Sequence, residues 1–240
     1  MVTTNSTDAA AFLDSVLRLT PKIAVFDCDG TLWSGDAGES FFRWELQRRL
    51  VSDEVSKRIK ARHDEYLAGN VSEDAMCGEM VTLHAGLAEA DVRRAAKEFF
   101  EANFVTRIFP EMRCLIAQLH ETGCEVWAVS STNNWVIETG MEHFDISPNR
   151  ILAAAVEIDN GVISNRLIRV PSGPGKPKAI REVIQRDPDA VFGNSRWDAD
   201  MLEMAQHPFV INPNPDLEQK SSSLGWPIYW PDGTKSGKKS

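Results

Sequence analysis

Short apolar runs recur along the chain and alternate with segments of helical periodicity. Each run is rich in residues that favour β-structure and too short for a stable helix, so we predict buried strands. The runs are residues 22–27 (KIAVFD), 125–130 (EVWAVS), 190–193 (AVFG) and 209–211 (FVI). A helical pattern precedes each of the last three, at 111–122, 178–186 and 200–206. This alternation predicts an α/β fold with a doubly wound parallel sheet covered by helices on both faces.

Two segments depart from the alternating pattern. Residues 151–169 place Asn160-Gly161 between two β-prone runs, which predicts an antiparallel β-hairpin. Residues 35–106 contain no strand-like run and show only helical patterns, at 39–50, 52–68, 72–87 and 88–104. We therefore predict an inserted all-helical cap domain, residues 35–106, over a core domain built from residues 1–34 and 107–240.

Composition narrows the class of protein. The 240 residues carry a formal charge of −9, which argues against general nucleic-acid binding. No apolar stretch approaches the roughly 20 residues that a membrane-spanning helix needs, and the N-terminus lacks the pattern of a secretion signal. The four cysteines form no CxxC pair, so we expect reduced thiols in a cytoplasmic protein. We expect a monomer or a homodimer. The polar C-terminal segment, residues 231–240, is expected to lack regular structure.

Two carboxylates follow the first predicted strand directly, at Asp27 and Asp29. In open parallel sheets, ligands bind beyond the carboxyl ends of the strands. Two acids at the end of an apolar strand are costly unless a cation or a reaction uses them. The alternative is that one of them only caps a turn that Gly30 makes possible.

Polar residues also follow the other predicted strands. Ser130 ends the second strand before a helix, where hydroxyl and backbone N–H groups suit an anion, or where it is an ordinary N-cap. Lys176 precedes a helix, where a cation makes sense beside a bound anion, although a solvated loop lysine and the neighbouring Lys178 are alternatives. Asn194 and Asp198 offer oxygen ligands suited to Mg²⁺.

In their order and placement these residues resemble the motifs of the haloacid dehalogenase superfamily. DCDGTL at 27–32 resembles its first motif, Ser130 the second, Lys176 the third and GNSRWDAD at 193–200 the fourth. The helical insert and the hairpin before Lys176 are similar to the phosphoserine-phosphatase-like subgroup with a helical cap. The resemblance implies a Rossmann-like core that hydrolyses a small-molecule phosphate monoester.

The resemblance also implies a role for each motif residue. Asp27 is the nucleophile, forms an aspartyl-phosphate and binds Mg²⁺, while Asp29 is the general acid and base and binds the metal through its carbonyl. Lys176 neutralises Asp27 and holds the phosphoryl group. The remaining phosphate-binding residues are Ser130, Ser131, Thr31 and Gly30, and the remaining metal ligands are Asn194 and Asp198. Dehalogenases of this superfamily lack an acid at the position of Asp29, so its presence favours phosphoryl chemistry.

Asn194 departs from the family pattern, which usually has an acid there. An amide oxygen remains a ligand but removes one negative charge from the metal site. Two alternatives therefore stay open. One is a phosphomutase or another phosphotransferase using the same two aspartates, and the other is a non-catalytic metabolite or metal sensor that retains the fold.

The helical insert supplies candidate substrate contacts. Asp36 lies nine positions after Asp27, where phosphoserine phosphatases carry an acid that binds the substrate amine, and Glu39 follows one helical turn later. An acid beside aromatic residues suits an ammonium group, as in phosphoserine, phosphocholine or phosphoethanolamine. Only phosphoserine also needs a cation for its carboxylate. The aromatic candidates are Trp33, Phe41, Trp44 and Tyr66, and the cationic candidates are Arg43, Arg48 and Arg62.

Overall fold

The computed structural model describes residues 6–234 of the chain. Within this range seven strands form one sheet in the order β4-β3-β2-β1-β5-β6-β7. All neighbouring pairs are parallel except β3 and β4, which are antiparallel. The strands are β1 (Ile23–Phe26), β2 (Glu125–Asn133), β3 (Ile151–Asp159), β4 (Val162–Arg169), β5 (Ala190–Gly193), β6 (His207–Ile211) and β7 (Ile228–Tyr229). The predicted α/β class and parallel sheet are confirmed.

Ten α-helices surround or extend the sheet in the described range. They are α1 (Ser6–Leu17), α2 (Ala37–Gln47), α3 (Asp53–Leu67), α4 (Glu73–Thr82), α5 (Glu89–Asn103), α6 (Pro110–Glu121), α7 (Asn134–Glu142), α8 (Gly175–Val183), α9 (Ala199–Glu203) and α10 (Pro215–Leu224). None of the helices in this range is both long and apolar enough to span a bilayer.

Alternate residues of the central strand pack on opposite faces of the sheet, as the period of a strand requires. Ala24 and Phe26 belong to a core shared with α1, α6 and α7. Ile23 and Val25 belong to a second core shared with α8, α9 and α10. Both faces are therefore covered, which explains why the strands are apolar throughout rather than alternating.

The hairpin forms where the sequence predicts it. Asn160 and Gly161, between β3 and β4, have φ angles of 51° and 81°. Positive φ at both central residues is the conformation of a tight hairpin turn, and asparagine and glycine adopt it at least cost. The sequence analysis does not predict strand β7 or helix α10, which extend the sheet and its cover beyond β6.

The segment predicted as a helical cap contains helices α2 to α5. Asp36, Ser52 and Ser72 cap the first three through their side chains, each accepting a hydrogen bond from a backbone N–H of the first turn. Part of this segment forms a small apolar core of its own, around Phe42 and Ile59. Helix α5 instead contributes Phe99 and Phe100 to the core shared with α7. The division of this helical segment from the core domain, at residues 35 and 106, remains a prediction.

The segment predicted to lack regular structure, residues 231–240, is described only as far as residue 234. Residues 231–234 form a turn, in which Thr234 donates its backbone N–H to the carbonyl of Pro231. The rest of that prediction lies outside the described residues.

Candidate active site

Asp27 stands at the carboxyl end of β1, in the middle of the sheet. Its backbone N–H donates to the carbonyl of Phe192 on β5 at 2.9 Å, so the ladder of the sheet fixes its position. The Oδ2 atom accepts a hydrogen bond from Thr31 Oγ1 at 2.8 Å. The Oδ1 atom lies 2.7 Å from Lys176 Nζ. The carboxylate is only 6% exposed, so it is held in one orientation at the floor of a cleft.

Lys176 is a buried cation between two buried carboxylates. Its Nζ atom lies 2.7 Å from Asp27 Oδ1 and 2.5 Å from Asp198 Oδ1, and also donates to the carbonyl of Val129 at 3.3 Å. Burial alone lowers the pKa of a lysine, but Asp198 and Asp27 outweigh it and hold the pKa of Lys176 above its usual value. Its rival Lys178 is exposed and lies 3.9 Å from Glu182.

The ionisation of Asp27 reflects a balance of burial and charge. Burial and the Asp198 carboxylate raise its pKa to about 6, although Lys176 and Thr31 favour the charged form. At neutral pH the side chain is therefore a carboxylate, the form that can act as a nucleophile. The site has more negative charge than Lys176 alone can neutralise.

Asp29 is held by three hydrogen-bond donors. Its Oδ1 atom accepts from Trp33 Nε1 at 2.8 Å and from the backbone N–H of Ala37, at the start of α2, at 2.6 Å. Its Oδ2 atom accepts from Thr132 Oγ1 at 2.8 Å. These donors come from three separate segments, so the first turn of the helical segment and the end of β2 together orient this carboxyl group.

Trp33 has a different role from the one predicted. The sequence made it an aromatic candidate for contact with the substrate, and that prediction is wrong because its side chain is fully buried. Its indole packs against Phe100 and Phe144 and directs the ring N–H at Asp29. Phe41, another of the aromatic candidates, is also fully buried.

The pKa of Asp29 is raised to about 8. Burial is the largest cause, and the nearby carboxylate of Asp36 adds to it, followed by that of Asp27. The donors from Ala37 and Trp33 oppose this shift without cancelling it. Burial therefore contributes more to the raised pKa than the acidic neighbours do. A carboxyl group of this pKa can donate a proton near neutral pH and accept one afterwards.

This shift predicts how the stability of the metal-free protein depends on pH. Between the unfolded value of 3.8 and the folded value of about 8, folding takes up a proton at Asp29, so stability falls as pH rises through this window. Asp29→Asn removes this proton uptake. The free energy of unfolding of the variant, relative to that of the wild type, should therefore increase by up to about 1.4 kcal/mol for each pH unit between pH 5 and pH 7. Urea denaturation in EDTA at several pH values measures the difference, and a constant difference across pH would contradict the assignment.

Gly30 allows the side chain of Asn194 to approach the turn after β1 closely. Its φ angle is 79°, and a Cβ atom at this position would lie 1.8 Å from Asn194 Nδ2. Any larger residue would therefore push Asn194 away as well as strain the turn. Thr31 is fully buried and its hydroxyl donates to Asp27, so its side chain orients that carboxylate, while its predicted contact with phosphate remains a prediction.

Asp198 organises the loop after β5. Its Oδ2 atom accepts hydrogen bonds from the backbone N–H groups of Asn194 and Ser195, at 3.0 and 2.9 Å, and from Ser195 Oγ at 3.1 Å. Because Oδ1 pairs with Lys176, both oxygens of this buried carboxylate are occupied. A direct bond from Asp198 to a metal would have to share an oxygen with one of these contacts or replace it, and its predicted role as a ligand remains a prediction.

The donor set around Asp27 is chemically suited to a hard divalent cation. No group of three or more histidine, cysteine, aspartate or glutamate side chains with metal-binding geometry occurs among residues 6–234. The predicted set includes Asp198 and does not require such a group, because three of its donors are the Asp27 carboxylate, the amide oxygen of Asn194 and the backbone carbonyl of Asp29. All three are oxygen donors, which Mg²⁺ prefers. Asp27, Asp29 and Asn194 line the same cleft.

The serines at the end of β2 also line this cleft. Ser130 is 2% exposed, and its Oγ atom accepts a hydrogen bond from the backbone N–H of Thr132 at 3.1 Å. Ser131 is more accessible. Thr132 is not among the predicted site residues, although the run of hydroxyl residues 130–132 is a signal for it. Asn212, which follows β6 and donates from Nδ2 to the carbonyl of Gly30 at 3.3 Å, is not among them either.

The cleft has a volume of about 410 Å³ and an acidic outer wall. Asp36 and Glu73 line it together with Tyr66, whose hydroxyl donates to Glu73. Glu39 lines a smaller pocket that continues from the cleft, but its carboxylate is already paired with Arg43 and with His63. The acidic wall therefore carries two carboxylates, Asp36 and Glu73, that no basic side chain pairs with among the described residues.

None of the three arginines proposed for a substrate carboxylate lines the cleft. Arg43 is 64% exposed and pairs with Glu39, and Arg48 pairs with Glu98. Arg62 pairs with Glu65 and Glu79. The prediction that Arg43 contacts substrate is therefore wrong, because Arg43 lies outside the cleft and pairs with Glu39 on its own helix.

The chain belongs to the haloacid dehalogenase-like hydrolase family, whose model matches residues 24–203. It is similar to a curated histidinol-phosphatase of Neisseria meningitidis serogroup C (strain 8013), at 23% identity over 218 residues that cover 86% of this chain and 97% of the relative. This relationship supports the assignment as a phosphatase.

Two solved structures show the same fold. A protein of unknown function from Bordetella pertussis Tohama I superposes with a TM-score of 0.76 at 18% identity, over 86% of this chain and 96% of that one. A phosphoserine phosphatase solved as a phospho-aspartyl intermediate analogue superposes with a TM-score of 0.58 at 16% identity, over 86% of this chain and 91% of that one. The predicted resemblance in fold to phosphoserine-phosphatase-like hydrolases is confirmed.

Proposed function

We propose that this chain hydrolyses a small phosphate monoester that carries an amine and no carboxylate. The observation that carries the proposal is the arrangement of Asp27, Lys176 and Asp29 in one cleft. A buried carboxylate faces the cleft beside a buried lysine, and a second carboxyl group with a raised pKa lies two residues away along the chain. This combination suits transfer of a phosphoryl group to Asp27 and then to water.

In the first step, an oxygen of Asp27 attacks phosphorus and the bond from phosphorus to the ester oxygen breaks. The leaving oxygen takes a proton from Asp29. In the second step, water attacks the aspartyl-phosphate, its proton passes to the Asp29 carboxylate, and inorganic phosphate leaves with Asp27 regenerated. The pKa of about 8 allows Asp29 to hold the proton needed first and to accept one later.

Charge is the main obstacle to the first step, because a carboxylate approaches a phosphate that is itself an anion. Lys176 offsets part of this repulsion, since its ammonium group contacts Asp27 and is buried, where electrostatic interactions are strong. Mg²⁺, held by Asp27, Asn194 and the carbonyl of Asp29, would supply the remaining positive charge to the phosphoryl oxygens.

The lining of the cleft favours an ammonium group over a carboxylate in the leaving group. Asp36 and Glu73 attract a cation, and neither Arg43, Arg48 nor Arg62 lines the cleft to bind an anion. Among the described residues the cleft itself has no arginine for the carboxylate of phosphoserine, whereas an amino-alcohol phosphate does not need one. The named activity of the histidinol-phosphatase relative also concerns an amino-alcohol phosphate, which is consistent with this substrate class.

The substrate class can be tested with Asp36→Asn. Asparagine keeps the N-cap of α2, which Asp36 provides through its contact with Glu39 N at 2.8 Å, but removes the charge. We expect KM for phosphoethanolamine and histidinol phosphate to rise about tenfold, the cost of a lost charged contact. KM for p-nitrophenyl phosphate, which has no amine, should change much less. Phosphoserine should be a poor substrate of the wild type.

Asp53→Asn is the matched control, because Asp53 is also an acid at the start of a helix but is exposed and lies outside the cleft. Since Asp36 raises the pKa of Asp29, Asp36→Asn should also move the alkaline limb of the pH profile to lower pH for every substrate. Equal KM changes for p-nitrophenyl phosphate and the amine esters would remove the proposed amine contact. Rapid hydrolysis of phosphoserine would contradict the preference against carboxylates.

A further inference from the structure

A second cavity, of about 800 Å³, opens beside the catalytic cleft. The two share Tyr66, Glu73 and Trp197, so they are continuous. The rest of this outer cavity is formed by residues 67–74, between and at the ends of α3 and α4, by the loop 170–175 that leads to Lys176, and by Arg196. A leaving group whose phosphate lies at Asp27 can therefore extend into the outer cavity.

Two aromatic side chains reach the outer cavity from different parts of the fold. Tyr66 belongs to the last turn of α3, and its hydroxyl is fixed by Glu73. Trp197 lies in a short 3₁₀ turn before α9, where its backbone N–H donates to Ser195 Oγ and the guanidinium of Arg196 covers one face of its ring at 4.5 Å. The indole is only partly buried. Rigid, partly exposed rings beside a cleft are suited to binding another planar ring.

Ser172 adds a polar feature to the same cavity. It is 5% exposed, and its Oγ atom has no hydrogen-bond partner among the described residues. A buried hydroxyl without a partner is unfavourable, so such groups in folded proteins call for an explanation. Ser172 lies in the loop before α8 and lines the outer cavity. A ligand atom that can donate or accept a hydrogen bond would satisfy it.

We propose that the outer cavity binds a planar heteroaromatic ring on the leaving group of the substrate, with a ring nitrogen hydrogen-bonded to Ser172 and the ring against Trp197. The proposal rests on the proposed function and narrows its substrate class. Two carboxylates, Glu73 and Asp74, and one cation, Arg196, line this cavity, so a neutral or cationic ring is preferred over an anionic one.

Three amine-bearing esters distinguish the contribution of the ring to binding from that of the rest of the substrate. Phosphoethanolamine has no ring, phenylalaninol phosphate has a ring without nitrogen, and histidinol phosphate has a ring with nitrogen. We expect Trp197→Leu to raise KM for both ring esters about tenfold relative to phosphoethanolamine, as expected for loss of stacking. Ser172→Ala should raise KM about fivefold for histidinol phosphate alone, because only its ring can use the hydroxyl.

Trp44→Leu is the matched control. Trp44 is likewise partly buried and carries an arginine over its ring, Arg48 at 4.8 Å, but lies on a different surface. Thermal unfolding of all three variants checks that they are folded. Equal KM values for the three esters in the wild type, or an equal effect of Trp197→Leu on all three, would overturn the ring site.

Calorimetric titration of the Asp27→Asn variant with the same esters keeps this test independent of turnover. If no ester is hydrolysed but the ring esters bind with affinities that depend on Trp197 and Ser172, the proposed hydrolysis fails and the ring site stands. If the esters are hydrolysed and bind without regard to the ring, the proposed function stands and the ring site fails.

Discussion

Asp27→Asn should abolish release of phosphate from every monoester, lowering kcat by about 10⁴-fold or more, as loss of a nucleophile does. The reason is local, because Asp27 is the buried carboxylate at the cleft floor that contacts Lys176, and an amide cannot attack phosphorus. The fold should persist, since asparagine has the same shape and Lys176 keeps Asp198 as its partner. Phosphate release from p-nitrophenyl phosphate with Mg²⁺ and in EDTA measures the effect.

Asp200→Asn is a suitable control, because Asp200 lies two residues after Asp198 in α9 and does not line the cleft. Substantial turnover by Asp27→Asn would exclude the aspartyl-phosphate route. If the wild type releases no phosphate from a broad panel of monoesters, a non-catalytic sensor becomes the better interpretation. A phosphomutase would isomerise sugar phosphates while releasing little phosphate.

The second large effect concerns Lys176→Met. Methionine fills a similar volume but leaves Asp27 and Asp198 buried without a cation between them. Breaking a buried ion pair from one side costs about 3–5 kcal/mol, so we expect a loss of this size in the free energy of unfolding at pH 8 in EDTA. Activity should fall by about 10²-fold or more, since the charge facing the phosphoryl group is also lost.

The pH dependence identifies the cause of this destabilisation. The pKa of Asp27 is already raised to about 6, and removing Lys176 raises it further because the lysine favours the ionised form. Protonation of Asp27 then relieves its repulsion with Asp198, so the stability difference between wild type and Lys176→Met should shrink as pH falls from 8 to 5. Urea denaturation across this range measures the difference.

Lys178→Met is the matched control, because Lys178 lies on the same helix but is 74% exposed. It should change stability by no more than about 0.5 kcal/mol. The double variant Lys176→Met/Asp198→Asn should recover part of the lost stability, since it removes one of the two unpaired charges. A destabilisation that is the same at pH 5 and pH 8 and is not relieved by Asp198→Asn would mean that packing, not charge, is responsible.

Part of the candidate site was predictable because of a property of parallel sheets. Strands whose carboxyl ends meet at one edge bring together the residues that follow them, whatever the connections between the strands are. Asp27 after β1, Ser130 at the end of β2 and Asn194 after β5 therefore line one cleft, as the sequence analysis predicts. Lys176 needed the family resemblance, since its own loop gave no preference over Lys178.

The surroundings of Asp29 show where prediction from the sequence ends. Trp33, Ala37 and Thr132 all donate to its carboxylate, but Thr132 is more than 100 positions away and Trp33 looked like a surface aromatic. Whether a tryptophan faces substrate or core depends on how the helical segment packs, which periodicity within that segment does not determine. The substrate contact predicted for Arg43 was wrong for the same reason, since its partner Glu39 lies on its own helix.

The sequence by itself determined the class of fold, the hairpin and the edge of the sheet where the reactive groups meet, because these follow from local periodicity, turn residues and the geometry of parallel strands. The tertiary structure alone decided which acids are buried and paired, which arginines are neutralised elsewhere, and that Tyr66, Ser172 and Trp197 line one cavity. Those features depend on contacts between segments far apart in the chain, and their energies come from burial and charge, which exist only once the segments have packed together.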